Sequence, residues 1–408
     1  MSNIAKGALK GVTYCDSLKA DDGYSLFGTK ESEGDWIDVV LINMGGYILN
    51  HWRLPRPMTA HGRLMPNGHF LYAGVVDNIP EMYHGGKVGR MGGELVELDW
   101  GGNMVWQADT PYITHDFYPF DSCPYDAWPK NGHVMYVAFH PDDVMSRELT
   151  ARWKGGRLGD EFTGEGELDG RLVSDSIVEV DREGKVVWKW LASEHLDPDI
   201  DWIPPMDTRT HFHTNAVGLC PDGNIVISAR CLSRVYKIEY PGGKVIKRYG
   251  ENEIFHQHDC EALPDGNVLI FDNGSHRPNY RETYSRSVEF DGKTGEIVWQ
   301  YKATPPSVFY SATQGGNERL PNGNTLICDT CSGRAFEVTP DCEIVWEYIN
   351  PIMSRRIGNP VNIMFRFHRY PKDYPAFKGR DLNPAHFPWE NQIWGPSAWR
   401  REFHPCIF

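Results

Sequence analysis

A unit of two consecutive β-hairpins recurs six times along the 408 residues, and this repeat limits the possible folds more than any other feature of the chain. Its second half reads VVLINMGGYILNHW (39–52), GELVELDWGGNMVWQA (93–108), DSIVEVDREGKVVWKW (175–190), SRVYKIEYPGGKVIKRY (233–249), SRSVEFDGKTGEIVWQY (285–301) and GRAFEVTPDCEIVWEY (333–348). Each is an alternating strand, a turn carrying glycine or an acid, and a second strand ending in Val-Trp or its equivalent, which predicts a hairpin. In front of five of them stands another hairpin signal: MPNGHFLYAG (65–74), PKNGHVMYVAF (129–139), PDGNIVISAR (221–230), PDGNVLIFDNG (264–274) and PNGNTLICDT (321–330). DDGYSLFG (21–28) fills that place for the first unit. Four strands per unit, at a repeat of roughly 45 to 60 residues with one long exception, are the mark of propeller blades. The expectation is an all-β protein, a single six-bladed β-propeller of four-stranded blades over residues 1–350.

Composition is consistent with that reading. Aromatic residues make up 12% of the chain and hydrophobic residues 40%, enough to fill cores between blades without disorder. Trp106, Trp188, Trp299 and Trp346 end their hairpins and are expected to pack between blades. The net charge of −14 repels phosphate backbones, and no basic stripe with interleaved aromatics is present, so nucleic acid is excluded as a partner. The first 25 residues lack a continuous apolar run, and no stretch approaches the roughly 18 to 20 apolar residues of a membrane span. The expectation is a cytoplasmic enzyme with no membrane partner. Nine cysteines in a reducing compartment act as free thiols. Cys328 and Cys331 form a C-x-x-C, but on a strand rather than at the opening of a helix, which fits neither a redox nor a zinc motif.

Two segments fall outside the repeats. An insertion over about residues 141–172, between the second and third blades, is charged and glycine-rich with one helical turn at its start; loops of this length are usually lids or binding loops. The C-terminal stretch 351–408 is dense in Pro, Trp, Phe, His and Arg and has no blade pattern. It is expected to pack on the propeller, either over one face or closing the site, or to form a homo-oligomer interface.

Chemistry enters through the residues preceding the Pro-Asn/Asp-Gly turns. The innermost strand of each blade lines the central channel, so equivalent positions converge on one axis. Reading back from the turns gives His61, His115, His211, His213, Asn215, His256, His258, Gln314 and Asn317, with His in four of the six units. Clustered imidazoles lower one another's pKa by like-charge repulsion, and such clusters concentrate at functional sites. The expected working site is a polar, His-lined funnel.

The motifs HDFYPF at 115, HTNAVGLCPDGNIVISAR (213–230), QHDCEALPDGNVLIFDNG (257–274), SRSVEF (285–290) and LPNGNTLICDTCSGRAFEVTPDCEIVWEY (320–348) occur in order, and over roughly residues 35–350 the chain resembles the arylsulfotransferase family, the PAPS-independent aryl-sulfate sulfotransferases. The resemblance implies a ping-pong transfer in which a His attacks the sulfur of an aryl sulfate and the sulfo group then passes to a phenol. On that resemblance His258 matches the nucleophile, His213, Asn215 and Arg230 the groups around the sulfo oxygens, and His115 another inner His. His61, His211, His256, Arg286 and Asn317 are further candidates for substrate binding. An unprotonated imidazole is a competent nucleophile, with Asp259 or a carbonyl to fix its tautomer. A guanidinium forks onto two oxygens, and a neighbouring imidazolium can protonate the leaving phenoxide. This reading requires no cofactor and takes a small phenolic or aromatic substrate.

Other chemistry remains open, because a fold does not fix a reaction. The chain is also compatible with a hydrolase, lyase or isomerase acting on a small aromatic or carboxylated metabolite. That enzyme could use one divalent transition metal held by several of His61, His115, His213 and His258. A third reading is an interaction propeller without catalysis.

Overall fold

The structure, a computed structural model, describes residues 10–30, 36–76, 92–110, 112–144, 146–153, 167–168, 171–203, 212–278, 283–356 and 359–396. Two of its sheets are plain four-stranded antiparallel meanders. One comprises Thr214–Leu219, Ile225–Ala229, Arg234–Ile238 and Val245–Tyr249; the other His258–Ala262, Val268–Asp272, Arg286–Phe290 and Ile297–Tyr301. Two others add one strand to the same pattern. Ile113–Pro119, Val134–Val144, Arg171–Val180 and Val186–Leu191 gain Glu167–Leu168, while Gly316–Arg319, Thr325–Asp329, Arg334–Val338 and Ile344–Ile349 gain Gly11–Cys15 on the outer edge. The largest sheet runs Phe367–Pro371, Gly23–Lys30, Trp36–Ile42, Ile48–Leu64, Phe70–Gly74, Glu94–Leu98, Met104–Asp109. Its 17-residue strand Ile48–Leu64 ends one meander and begins the next. Pro55 and Pro57 lie midway along it, where the register breaks and no ladder N–H is needed.

The first strands of successive meanders face one another and are labelled here β1 (Ile48–Leu64), β2 (Ile113–Pro119), β3 (Thr214–Leu219), β4 (His258–Ala262), β5 (Gly316–Arg319) and β6 (Phe367–Pro371). Consecutive members of this series are in contact from β1 to β6. The His61 and His368 rings, 5.6 Å apart, bring β6 back to β1. This propeller-like arrangement explains the sequence pattern. The second strands Phe70–Gly74, Ile225–Ala229, Val268–Asp272 and Thr325–Asp329 are buried throughout. Outer strands such as Met104–Asp109 and Val186–Leu191 are largely exposed. The core lies between neighbouring sheets: Val217, Ile227 and Tyr236 of one pack with Met135, Val137 and Ile177 of the sheet before it, and Phe271 packs with Ile327 and Phe336 of the sheet after it.

One position in each outer strand ties its repeat to the next. The third residue of the strand, or of β1, donates a side-chain N–H to a turn carbonyl of the following repeat. The pairs are Asn50 Nδ2 to Trp100 O (3.2 Å), Trp106 Nε1 to Arg182 O (2.8 Å), Trp188 Nε1 to Pro241 O (2.9 Å), Lys247 Nζ to Lys293 O (2.6 Å), Trp299 Nε1 to Pro340 O (2.8 Å) and Trp346 Nε1 to Met44 O (3.0 Å). The last pair joins the final repeat to the first. Trp346 alone among the four expected tryptophans is fully buried; Trp106, Trp188 and Trp299 are half-buried, their indoles lying at the sheet rims.

The structure departs from the sequence reading at both ends of the chain. Phe367–Pro371, inside the segment expected to lie outside the blades, pairs with Gly23–Lys30 in the register Ser25 to Arg369. A lone five-residue strand whose partner is 344 positions away carries no turn signal of its own. Gly11–Cys15, unassigned from sequence, pairs with Ile344–Ile349. In the insertion, strand Val134–Val144 runs past the expected boundary at 141, and helix Arg147–Trp153 follows it. Residues 145, 154–166 and 169–170 of that segment lie outside the described residues. Trp153 is buried and packs edge-on against Phe212 at 4.5 Å, anchoring the start of the insertion beside His213. Cys328 lies on its strand and Cys331 in the following turn, both as free thiols. No described helix is long and apolar enough to cross a membrane.

Candidate active site

In a regular strand successive side chains point to opposite faces, so neighbouring residues cannot both face the axis. β-Bulges remove that restriction. The register breaks in β1 between Met58 and Gly62, in β2 between Ile113 and Phe117, in β3 between Thr214 and Ala216, and in β4 between His258 and Cys260. These irregular stretches hold His61, His115, Asp116, Asn215 and Asp259. Left-handed backbone at His213 (φ 53°), His256 (φ 53°), Asp259 (φ 63°) and Gln314 (φ 60°) marks the same level of the molecule. Such conformations cost of order 1 to 3 kcal/mol each in non-glycine residues and gather at functional sites. Gly315 and Gly316 follow Gln314 because a Cβ at 315 would lie 2.5 Å from the Phe271 ring and one at 316 would lie 2.6 Å from Asp259 Oδ2.

His258 is 2% exposed. Its Nδ1 is 2.8 Å from Asn273 Oδ1, and Asn273 donates its own amide to Ser311 O and Gln314 O, both at 2.7 Å. Those two donations fix the amide orientation, so Oδ1 can only accept and His258 must carry its proton on Nδ1. Nε2 therefore presents a lone pair, which the Gln314 backbone N–H approaches at 3.3 Å. Burial, then the Arg230 guanidinium, with Arg366 and His115 behind it, holds this imidazole well below its ordinary value against the opposing Asn273 bond. Asp259, the residue expected to set the tautomer, instead accepts from Asn317 N (3.0 Å) and Cys260 N (3.1 Å) and lies 3.6 Å from Arg366 Nε. The bulge turns it toward β5.

The His115 and His213 rings lie 4.6 Å apart. Arg230 is 3% exposed, in the turn after Ala229, and its backbone N–H donates to His213 O at 3.2 Å. His115, His213, Arg230 and His258 thus share one neighbourhood. Asn215 donates Nδ2 to Gln257 O at 2.9 Å and so steadies the approach to His258 rather than offering that donor to a ligand. His61 lies a level further in, stacked between Phe117 (5.4 Å) and Phe365 (6.1 Å) with Nε2 on Asp116 Oδ1 at 2.8 Å. Burial lowers its pKa to about 4 despite that bond. Asp116, although burial pushes the other way, is held well below the usual carboxylate range by His61 and by Arg63 and Arg366.

His256 packs against His276 at 4.6 Å. Arg286 is engaged with Asp272 Oδ2 (2.8 Å), Gln300 Oε1 (2.9 Å) and the Glu253 carbonyl (2.5 Å). Asn317 donates Nδ2 to Ser287 Oγ at 2.6 Å. His211 lies outside the described residues. Among the described residues no group of three or more His, Cys, Asp or Glu is arranged to hold a metal ion. Of the set His61, His115, His213 and His258, His61 places Nε2 on Asp116 and His258 places Nδ1 on Asn273.

Two site residues escaped sequence reasoning, and a third, Gln314, is marked by the turn pattern without its role. Asn273 stands within the Phe-Asp-Asn-Gly motif but after its strand, where a turn residue is the default reading. Arg366 comes from the C-terminal stretch; it is 3% exposed, lies over Phe365 at 5.1 Å, and donates Nη1 to Gly315 O. Its Nη2 is buried without a hydrogen-bond partner among the described residues. Gln314 contributes a backbone N–H, which no residue identity announces.

A family model described as arylsulfotransferase (ASST) matches residues 89–351. No curated protein matches the chain. Among solved structures, a protein of unknown function from Bacteroides caccae is 13% identical, with a TM-score of 0.52 over 85% of this chain and 98% of that one. A streptogramin B lyase is 11% identical, with a TM-score of 0.44 over 88% and 96% of the two chains. A catalytically inactive virginiamycin B lyase from Staphylococcus aureus, solved with quinupristin, is 11% identical, with a TM-score of 0.41 over 83% and 88%. The structural likeness speaks to fold alone, whereas the family match spans well over half of the sequence and includes His115, His213, Arg230 and His258: the chain belongs to the arylsulfotransferase family.

Proposed function

We propose that the protein is a six-bladed propeller enzyme that transfers a sulfuryl group between phenolic compounds through His258. The single observation that carries this reading is the state of His258: neutral, with its proton held on Nδ1 by Asn273, its Nε2 lone pair met only by the Gln314 backbone N–H at 3.3 Å among the described residues, and its pKa depressed by burial and by Arg230 and Arg366. In the first step Nε2 attacks the sulfur of an aryl sulfate, the N–S bond forms, and the S–O bond to the aryl group breaks with its electron pair on the leaving phenoxide. Asn273 Oδ1 accepts from Nδ1–H and so steadies the positive charge that develops on the ring. Arg230 and Arg366 face the charge on the sulfuryl oxygens. The His115 and His213 pair supplies the proton that the phenoxide needs. In the second step an acceptor phenol gives its proton back to that pair and attacks the same sulfur, and the N–S bond breaks to restore His258. The cycle balances in atoms, protons and electrons and draws on no metal.

The test is incubation with 4-nitrophenyl sulfate. Nitrophenolate release should stop after one enzyme equivalent unless a phenol acceptor is added, and the trapped protein should carry the sulfo mass on the peptide containing His258. His258→Asn should abolish both. Turnover of aryl sulfate by His258→Asn at the wild-type rate, or a sulfo group on another residue, would overturn the reading.

A further inference from the structure

The axial strands also line a cavity beyond His115, His213 and His258. Tyr118 stands three residues after His115 on β2, and Glu261 three after His258 on β4, which at about 3.3 Å per residue is about 10 Å further along the axis. There residues of all six axial strands, Arg63 and Leu64 of β1 among them, surround a cavity of about 230 Å³. Its walls include Tyr118, Tyr125, Tyr370, Asn317, Glu261 and Glu318.

Most of the charge around this space is compensated. Arg63 donates Nε to Phe117 O at 3.1 Å, covers the Tyr118 ring at 4.4 Å and lies 3.7 Å from Asp116; Asp259 faces Arg366. Arg369 is paired with Glu337 and Arg319 with Glu289. The two glutamates differ. Glu261 Oε2 accepts from the Arg319 backbone N–H at 2.8 Å, and Glu318 Oε2 lies 3.2 Å from His368 Nδ1. Burial holds the His368 pKa at about 3, so that ring is neutral and gives Glu318 no counter-charge. Neither carboxyl is in direct salt-bridge contact with an arginine or lysine among the described residues, although Arg63 and Arg369 act on Glu318 and Arg319 on Glu261 from further off. Burial raises both, Glu318 to about 7 and Glu261 well above its ordinary value, with Glu318 adding to the latter. Asn317 is a third, independent acceptor. It is 7% exposed, its amide is anchored on Ser287, and its Oδ1 is buried without a hydrogen-bond partner among the described residues.

We propose that this cavity is a binding site for a small primary amine, with the ammonium between Glu261, Glu318 and Asn317 Oδ1 and an aromatic body against Tyr118, Tyr125 and Tyr370. An ammonium brings three N–H donors and one positive charge, matching three acceptors and an acidic pair that lacks a directly bound cation. The tyrosine faces favour a cation and an aromatic ring together. The volume is below the roughly 300 to 1,000 Å³ of drug-sized sites, which selects a small molecule over an oligoamine.

The experiment is calorimetric titration of the full chain with 2-phenylethylamine near pH 8, with 2-phenylethanol as the uncharged control. One amine per chain should bind and the alcohol should not. Glu318→Gln and Glu261→Gln should each weaken the amine by at least about tenfold, as loss of one partner of a buried charged contact does. Near pH 5.5 the wild type should bind more weakly, because protonation of the carboxyls removes the counter-charge. Equal affinity for amine and alcohol, no heat with the amine at millimolar concentration, or wild-type affinity in a folded Glu261→Gln/Glu318→Gln double variant would overturn the proposal. Should Glu261→Gln fail to fold, the alcohol control and Glu318→Gln decide. His258→Asn should keep the amine affinity, so failure of the sulfuryl-transfer reading leaves this result interpretable.

Discussion

Asn273 Oδ1 lies 2.8 Å from His258 Nδ1, and this one contact decides which nitrogen of the ring is available for chemistry. Asn273→Ala frees the imidazole to adopt the other tautomer, with its proton on Nε2. The expected result is a loss in kcat on the order of 100-fold, about 2.7 kcal/mol, with little change in KM for an aryl sulfate. Steady-state kinetics alongside a melting curve separate this from unfolding.

The same site fixes the direction of the pH profile. His258 must be unprotonated to attack, and its pKa is held well below the ordinary 6.5. The acid limb of kcat/KM should therefore lie below pH 6.5, and Arg230→Gln, which removes the nearest positive charge, should move that limb upward. A limb at or above pH 6.5 in the wild type would contradict the assigned environment.

Glu318 predicts a stability effect of known sign. Its folded pKa is raised from 4.5 to about 7, so the folded state holds a proton that the unfolded state has released, and the folded state is penalised as pH rises through that window. Glu318→Gln should melt higher than wild type near pH 8, with a ceiling of about 3 kcal/mol at 1.36 kcal/mol per pH unit, and the difference should vanish below about pH 4.5. Partial exposure of the side chain brings the expected gain nearer 1 kcal/mol.

The tryptophan ring shows how far sequence reaches. The recurrence of Val-Trp at strand ends made the meanders legible and located Trp106, Trp188, Trp299 and Trp346 at equivalent positions. It did not show what the position does, which is to donate an N–H to the next sheet, and so it passed over Asn50 and Lys247, which donate from the same place. The histidines were legible because inner-strand positions precede a recognisable turn. The bulges that turn Asp116 and Asp259 into the axis were not, since a bulge depends on register with a partner strand. Nor was the arrival of Arg366 and His368, which depends on a pairing with Gly23–Lys30 formed across almost the entire chain.

Burial separates these tryptophans energetically. Trp346→Ala empties a fully buried site and breaks the bond to Met44 O, with an expected cost of about 3 to 5 kcal/mol. At Trp299 the ring is half-buried, and Trp299→Ala should cost about 1 to 2 kcal/mol, chiefly the bond to Pro340 O and part of the packing. Denaturant titration of the two variants should rank them in that order; equal losses would mean that the closing contact between last and first repeats contributes nothing of its own.

Arg366 provides the last prediction. Its Nη1 and Nε face Gly315 and Asp259, which holds the guanidinium plane fixed and leaves Nη2 buried without a hydrogen-bond partner among the described residues. A lysine would keep the charge but offers no planar fork, so it cannot reach Gly315 O and a sulfuryl oxygen together. Arg366→Lys should therefore retain aryl sulfate binding within a few-fold while kcat falls by about 10- to 100-fold, on the order of 1.4 to 2.7 kcal/mol. Arg366→Gln removes the charge as well and should raise the His258 pKa, shifting the acid limb of the rate profile upward, which the lysine variant should not do. A purely structural role would lower the melting temperature in both variants and leave the limb where it is.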